Sequence, residues 1–444
     1  MEIQANSIDT KKSSTYAKVL AIPSFRALWF GQICSQLAVN TLLFILALRV
    51  YHLTSRNTAV SGLFLAYGIP AVLFGLIAGT AVDRLDKRRV LILCDLVRSL
   101  FTLGLVLLSR NLFVIYLITF SNAFITQFYF PSEAPLIPKL IPKELLVSAN
   151  SLFSFTYYTS LAIGSLLAGP LLRIFGVHGI FIGIAALFAC ASYLSSKIDI
   201  RDDGSVGFRH LIQYDVGYLL SRIWMGLLDG IRYVAKSKQL SGAIVLLTGT
   251  QIIIVLLASL GPGFADQILS IDIRDASIVI VGPAVLGIIM GAIWVGTVGY
   301  RWKPEYLIRR GIQYAGLILL VIAVSIRLIS IKELHLITHL HFVLIVEIFL
   351  FFLLGIANSL LDVPANSLLQ EEASGPMRGR VYGMLTAFVG GVGILPIILG
   401  GILADTIGIG NVILILGIII TLVSIVRKRY SHLIQVCPST DSGS

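Results

Sequence analysis

Acidic side chains inside long apolar runs are the residues of this sequence most able to do chemistry. Glu347 lies about seven residues into one such run, roughly 10 Å below its end at 1.5 Å per residue. An ionisable group at that depth is costly to bury and is by default a functional candidate. Asn358 and Asp362 follow on the same helical face. We expect Glu347 and Asp362 to be proton-coupling residues; a protonated Glu347 bonded to a neighbouring helix is the structural alternative.

Amide side chains form a second pattern. Gln32, Gln36 and Asn40 recur every four residues and therefore form one polar stripe along a helix. Within hydrocarbon such amides need partners, which a substrate or a neighbouring helix can supply. We interpret the stripe as part of a substrate cavity, with helix–helix hydrogen bonding as the alternative. Residues from later helices are expected to line the same cavity: Asn122, Gln127, Tyr157, Gln251 and Asn358.

Asp95 and Arg98 form a third pattern, because they stand three residues apart and about two turns inside an apolar run. Burying either charge alone is unfavourable, so each is expected to neutralise the other. We interpret the pair as a structural element of a gate, with a proton site as the alternative. No nucleophile, base and acid gather at one depth, so we predict no enzyme. A histidine cluster at 335–341 lacks a full ligand set, which favours no metal site.

The composition excludes a soluble protein. Hydrophobic residues make up 57% of the 444 residues, charged residues 13%, and the mean hydropathy is +0.91, whereas ordinary globular chains are roughly one quarter charged. Apolar runs of about 20 residues are long enough to cross a bilayer as helices. We predict twelve spans: 26–50, 57–82, 89–109, 111–131, 147–171, 177–197, 240–264, 276–299, 306–328, 338–361, 379–402 and 410–427.

The net charge of +11 reflects the orientation of the chain in the membrane and does not indicate a nucleic-acid partner. Most of the 34 Lys and Arg residues fall in the tails and in alternate loops, which the positive-inside rule assigns to the cytoplasm. Both termini are therefore expected on the cytoplasmic side of a cell (inner or plasma) membrane. The predicted parts are a tail at 1–25, a six-helix bundle at 26–197, a linker with an amphipathic helix at 198–239, a second bundle at 240–427 and a tail at 428–444.

The two predicted bundles repeat each other weakly. The stretch from Leu167 to Gly176 can be aligned with the stretch from Leu399 to Gly408, and Pro131 with Pro364. Internal similarity between six-helix halves is typical of transporters that bind substrate near mid-membrane between the halves.

The loop between the second and third spans carries a recognisable signature. Its pattern, Gly-x-x-x-Asp-Arg-x-x-(Lys/Arg)-Arg-Arg from Gly79 to Arg89, resembles the helix 2–3 loop of the major facilitator superfamily. The resemblance implies that Asp83, with Arg84, closes the cytoplasmic side by facing the N-terminus of helix 11, where the helix dipole favours a carboxylate. Asp86 stands where the superfamily usually has Gly, and we expect it there because Asp tolerates positive φ.

Further patterns resemble the enterobactin-exporter and macrolide-efflux branch of that superfamily. They are Asp95 to Arg98, Val363 to Gln370, and Arg378 to Gly383. The branch resemblance implies inter-domain ion pairs of Arg378 and Arg380 near the cytoplasm. Two departures limit the resemblance: no acid follows Gln36 in the first span, and no basic residue lies between Leu117 and Pro131.

The sequence therefore predicts an all-α membrane protein with twelve transmembrane helices in two pseudo-symmetric six-helix bundles, the major facilitator fold. We expect a monomeric exporter of a hydrophobic or amphiphilic small molecule, coupled to protons and free of cofactors, since no phosphate-binding loop is present. A lysophospholipid or lipid flippase is one alternative. A receptor or assembly subunit that has lost transport is the other.

Overall fold

The chain is helical throughout the part that the structure describes. The computed structural model describes residues 16–82, 85–200, 232, 234–235, 237–330, 338–372, 381, 384–385, 388 and 391–434, and no strand occurs among them. Nine of the described helices are long and apolar enough to cross a membrane, and two shorter apolar helices follow near the C-terminus.

Most helices correspond one to one with a predicted span. Leu146–Ser196 is the exception, because it runs through two spans and turns at Gly176, whose φ is 65°. We number its two arms α5 and α6. The other helices are α1 Pro23–Thr54, α2 Asn57–Val82, α3 Lys87–Leu108, α4 Leu112–Glu133, α7 Lys238–Gly263, α8 Gly282–Thr297, α9 Pro304–Ser330, α10 Thr338–Glu372, α11 Ile394–Ile407 and α12 Ile409–Ile434.

Polar residues between the apolar runs fix where several helices begin. Asn111 accepts a hydrogen bond from the backbone N–H of Phe113 at 3.0 Å, and Ser237 accepts one from Leu240 at 3.2 Å. Asp86 caps α3 in the same way through the Arg89 N–H at 3.2 Å. Asp86 has a φ of −64°, so the expected need for positive φ at this position is wrong. Its side chain serves instead as a helix cap.

Five apolar clusters hold the described helices together, and the two largest lie one in each bundle. The first is built by α1 to α6 around residues such as Ile45, Leu63 and Phe188, and the second by α7 to α12 around residues such as Leu319 and Ile322. The helices alternate in direction, so we call the end where α1 begins the proximal end and the end where α1 finishes the distal end. The linker helix predicted within 198–239 lies largely outside the described residues and stays a prediction.

Small residues bring α8 and α10 into backbone contact. A Cβ added at Gly287 would overlap the carbonyl oxygen of Phe352, and one added at Gly355 would overlap the carbonyl oxygen of Ala284. Close approach through small residues is a main source of helix association in lipid. These two helices therefore depend on the absence of side chains at their contact.

Gly287→Ala is expected to destabilise the protein by about 1–3 kcal/mol, because the new methyl group must push α8 and α10 apart. Thermal unfolding in detergent measures the change. Gly296→Ala is the matched control, since it lies in the same helix with nothing within 4 Å of an added Cβ. There the substitution is expected to stabilise the helix by about 0.5–1 kcal/mol. Equal effects of the two variants would contradict the close approach.

Candidate functional site

A polar and aromatic pocket lies between helices of the first bundle, roughly 20 Å along α1 at 1.5 Å per residue. The predicted cavity residues Gln36 and Asn40 line it from α1, and Tyr157 lines it from α5. The remaining lining residues come from α1 to α4: Ser35, Val39, Tyr67, Arg98, Thr126, Tyr129 and Phe130. Aromatic rings beside hydroxyl and amide groups match the apolar and polar parts of an organic molecule. The cavity of about 40 Å³ in this conformation would have to widen to admit one.

Arg98 is the only cationic side chain among these lining residues, and it is almost fully buried. Its guanidinium donates to Asp95 Oδ1 at 3.2 Å and to Thr126 Oγ1 at 2.8 Å. Ser35 donates to the same Asp95 oxygen at 2.8 Å. The predicted pair of Asp95 and Arg98 therefore forms an ion pair, and hydrogen bonds from α1 and α4 surround it.

Aromatic rings complete the surroundings of Arg98. Its guanidinium carbon lies 4.9 Å from the ring centre of Tyr129 and 5.8 Å from that of Phe188. Such contacts are favourable for a cation that has been removed from water. One turn beyond Tyr129, at the end of α4, lies Glu133, which is only 4% exposed. The prediction from sequence did not include Glu133, although an acid beside Pro131 at the end of an apolar run was a readable signal.

The other predicted cavity residues of the first bundle do not line this pocket. Gln32 is buried in α1, and its Oε1 has no partner among the described residues. Asn122 and Gln127 of α4 each donate to a backbone carbonyl four residues earlier, at 3.0 Å. Their part in substrate binding stays a prediction.

Glu347 lies in the second bundle, away from the pocket, and is fully buried. Its carboxyl group contacts the hydroxyl of Ser325 on α9, and its Oε2 has no partner among the described residues. The same Ser325 hydroxyl lies 2.7 Å from the carbonyl of Ile322. One hydroxyl proton thus faces two acceptors.

The structure brings two other predicted residues of the second bundle together. Gln251 of α7 lies beside Asp362 of α10, which accepts a hydrogen bond from Asn366 of its own helix at 3.0 Å. Asn358 lies one turn before Asp362 and is half-buried. This polar group is separate from Glu347, which faces α9.

One carboxylate, that of Asp405, makes several contacts between the two bundles at the distal end. Asp405, at the end of α11, accepts from the backbone N–H groups of Asn57 and Thr58 at 2.8 and 2.9 Å. It also accepts from the amide of Asn57 at 3.0 Å and the hydroxyl of Thr58 at 2.6 Å. Asp405 therefore caps the N-terminus of α2 from the other bundle. The sequence did not indicate this contact.

Further inter-bundle contacts lie at the same distal end. Tyr51 of α1 donates to Asp266 at 3.0 Å, and Arg173 pairs with Asp275 at 2.8 Å. Gly169 packs so closely that an added Cβ would overlap the carbonyl of Arg274.

Several predicted residues lie outside the described part of the chain. They are the loop residues Asp83, Arg84, Arg378 and Arg380, so their predicted gating role stays a prediction. Among the described residues, no group of three or more His, Cys, Asp or Glu side chains could hold a metal ion.

Comparison with known proteins agrees with this architecture. A sequence profile described as the Major Facilitator Superfamily matches residues 28–346. The MFS-type transporter YfiS of Bacillus subtilis is 24% identical over 402 residues, which cover 88% of this chain and 89% of that protein. The multidrug efflux pump Tap of Mycolicibacterium fortuitum is 23% identical over 81% of this chain and 83% of its own. Macrolide efflux protein A of Streptococcus pyogenes is 26% identical over 32% of this chain and 37% of its own length.

Solved structures share the fold at low identity. The alignment with the POT family transporter PepTSo covers 94% of this chain and 99% of that protein, with a TM-score of 0.69 and 14% identity. The nucleoside transporter NupG covers 91% and 98%, with a TM-score of 0.66 and 13% identity. With the profile match across most of the chain and the multi-pass helical architecture, the chain belongs to the major facilitator superfamily and is a membrane transporter, not an enzyme.

Proposed function

We propose that this protein exports an amphiphilic organic molecule by alternating access and couples export to protons. The observation that carries the proposal is the pocket at the middle of α1, where Tyr67, Tyr129, Phe130 and Tyr157 surround polar groups. Those rings suit an apolar body, while the amide of Gln36 and other polar groups suit a few hydrogen-bonding atoms. Relatives named as efflux pumps for several drugs and for macrolides support the same class of substrate.

The distal contacts support alternating access, with this conformation closed at the distal end. Asp405 and Arg173 join the bundles there. By the charge distribution along the chain, the distal end is the outer face of a plasma membrane, with both termini in the cytoplasm. A cytoplasmic substrate would then enter from the proximal end. Opening the distal end requires the Asp405 contacts to break.

Asp405→Ala is expected to shift the protein toward a distal-open conformation. Removing the cap of α2 costs about 0.5–2 kcal/mol, which changes the ratio of two conformations by roughly 2- to 30-fold. Spin labels at positions 53 and 407, one in each bundle, would report a larger population at long distance. Pulsed electron paramagnetic resonance in nanodiscs measures that population.

Asp275→Asn is the matched control for this distance measurement. It removes an inter-bundle ion pair in which Arg173 and Asp275 are 53% and 32% exposed. Exposed pairs contribute only about 0–1 kcal/mol, so the shift should be smaller than that of Asp405→Ala. An unchanged distance distribution in Asp405→Ala would contradict the role of Asp405.

Glu347 is the residue that we propose for proton coupling. It is fully buried and contacts Ser325, whose single hydroxyl proton faces both Glu347 and the Ile322 carbonyl. A proton on Glu347 satisfies both contacts, because the carboxyl group then donates to Ser325 while Ser325 donates to Ile322. Loss of that proton would leave a buried charge with few partners, which is unfavourable in hydrocarbon. Protonation can therefore couple to a movement of α9 against α10.

Glu347→Gln is expected to abolish the dependence of export on a pH gradient, because an amide cannot exchange a proton at this site. The measurement is the rate of efflux of dyes, macrolides and siderophores from proteoliposomes with and without a pH gradient. In Glu347→Gln the rate with the gradient should fall to the rate measured without it. Ser325→Ala is the control, since it removes the hydrogen bond and leaves the carboxyl group. Gradient-dependent efflux that survives Glu347→Gln would limit Glu347 to a structural role. Movement of lipids alone would identify a flippase, and no movement at all a protein without transport.

A further inference from the structure

A second group of buried ionisable residues lies next to the pocket and is separate from Glu347. Asp95, Arg98 and Glu133 are 0%, 1% and 4% exposed. Asp95 and Arg98 come from α3, and Glu133 comes from the end of α4. Glu133 lies one helical turn after Tyr129, whose ring lies against the Arg98 guanidinium. The group therefore contains two carboxyl groups and one guanidinium in one buried network around Tyr129.

The charges of this group do not balance if both acids are ionised. One arginine neutralises one carboxylate, and a second buried carboxylate is left with no opposite charge. An unpaired buried charge is far less favourable than a neutral carboxylic acid. Two carboxyl groups that share a site also disfavour joint ionisation, since each negative charge repels the other.

The surrounding titratable groups do not supply the missing positive charge. The described groups that face the network are Cys34 of α1, Tyr67 of α2, Cys94 of α3 and Tyr129 of α4. Thiols and phenols are neutral or negative, never positive. None of these four groups is a cation, so among them and the network Arg98 is the one positive charge.

Two carboxyl oxygens of this group have no hydrogen-bond partner among the described residues and could carry an additional proton. Asp95 Oδ1 accepts from Ser35 and Arg98, whereas Asp95 Oδ2 has no partner among the described residues. Glu133 Oε1 also has none. Asp95 makes the direct ion pair with Arg98, which favours its charged form, while Glu133 has a phenol as its neighbour. The proton is therefore best placed on Glu133.

We propose that Asp95, Arg98 and Glu133 form a binding site for one exchangeable proton, held on Glu133 and controlled by the charge of Asp95. Glu133 ends α4 at the proximal end, so the proton has a short path to that face. Arg98 and Tyr129 contact the site and also line the pocket. A part for this proton in transport rests on the proposed export function, whereas its presence does not.

The proton can be detected without transport by infrared spectroscopy of the full chain in nanodiscs at neutral pH. A protonated carboxyl group has a C=O stretching band that a carboxylate lacks. The test uses a Glu347→Gln background, because that variant lacks the other buried carboxyl group that we propose to be protonated. In this background, adding Glu133→Gln is expected to lower the intensity of the C=O band by the contribution of one carboxyl group. Adding Asp95→Asn is expected to do the same, because Glu133 then ionises as the single partner of Arg98. Adding Glu144→Gln, an exposed acid after α4, should change nothing.

Three results would overturn the proposal. A band unchanged by Glu133→Gln would show that Glu133 carries no proton. A band lost in Glu133→Gln yet kept in Asp95→Asn would show that the charge of Asp95 does not control it. Should Glu133→Gln fail to purify as a folded protein, Glu133→Asp must shift the band frequency, and an unshifted band would equally overturn it. None of these readouts involves substrate, so failed export and a failed proton site are distinguishable.

Discussion

The lack of water in the hydrocarbon interior is the constraint on which the rest of this structure depends. Each buried polar group must find its partner within the protein. Arg98 illustrates the result, because Asp95, Ser35 and Thr126 converge on it from three helices. Their positions in turn fix how α1, α3 and α4 pack. Three residues of this network, Ser35, Arg98 and Thr126, also line the pocket.

The second bundle meets the same constraint with fewer charges. Its buried acid, Glu347, contacts one hydroxyl group on α9, and Asp362 accepts a hydrogen bond from the amide of Asn366. Elsewhere α8 and α10 associate through glycine, with backbone against backbone. Among the described residues, the two bundles therefore differ in their buried polar contacts: an ion pair with its hydrogen bonds in the first, and carboxyl groups bonded to a hydroxyl and an amide in the second.

The sequence predicted what depends on neighbours along the chain. The span at 57–82 coincides with α2, because polar residues bound its apolar run, and the three-residue spacing of Asp95 and Arg98 predicted their ion pair. Contacts between distant segments could not be predicted in this way. Asp405 and Asn57 are 348 residues apart. The periodicity of a sequence predicts which face of a helix is buried, but it does not predict which other helix packs against that face. Glu133 was readable as an acid at the end of an apolar run, whereas its place near the Arg98 guanidinium was not.

The geometry at Asp405 has a consequence for the distal opening that we propose. All four of its inter-bundle hydrogen bonds end on one carboxylate. Rotation of this one side chain therefore removes all four together. In the proposed opening their loss is a single cooperative step, added to the loss of the Tyr51–Asp266 and Arg173–Asp275 contacts. A substitution at Asp405 is expected to alter the rate of that opening and leaves every group that lines the pocket unchanged.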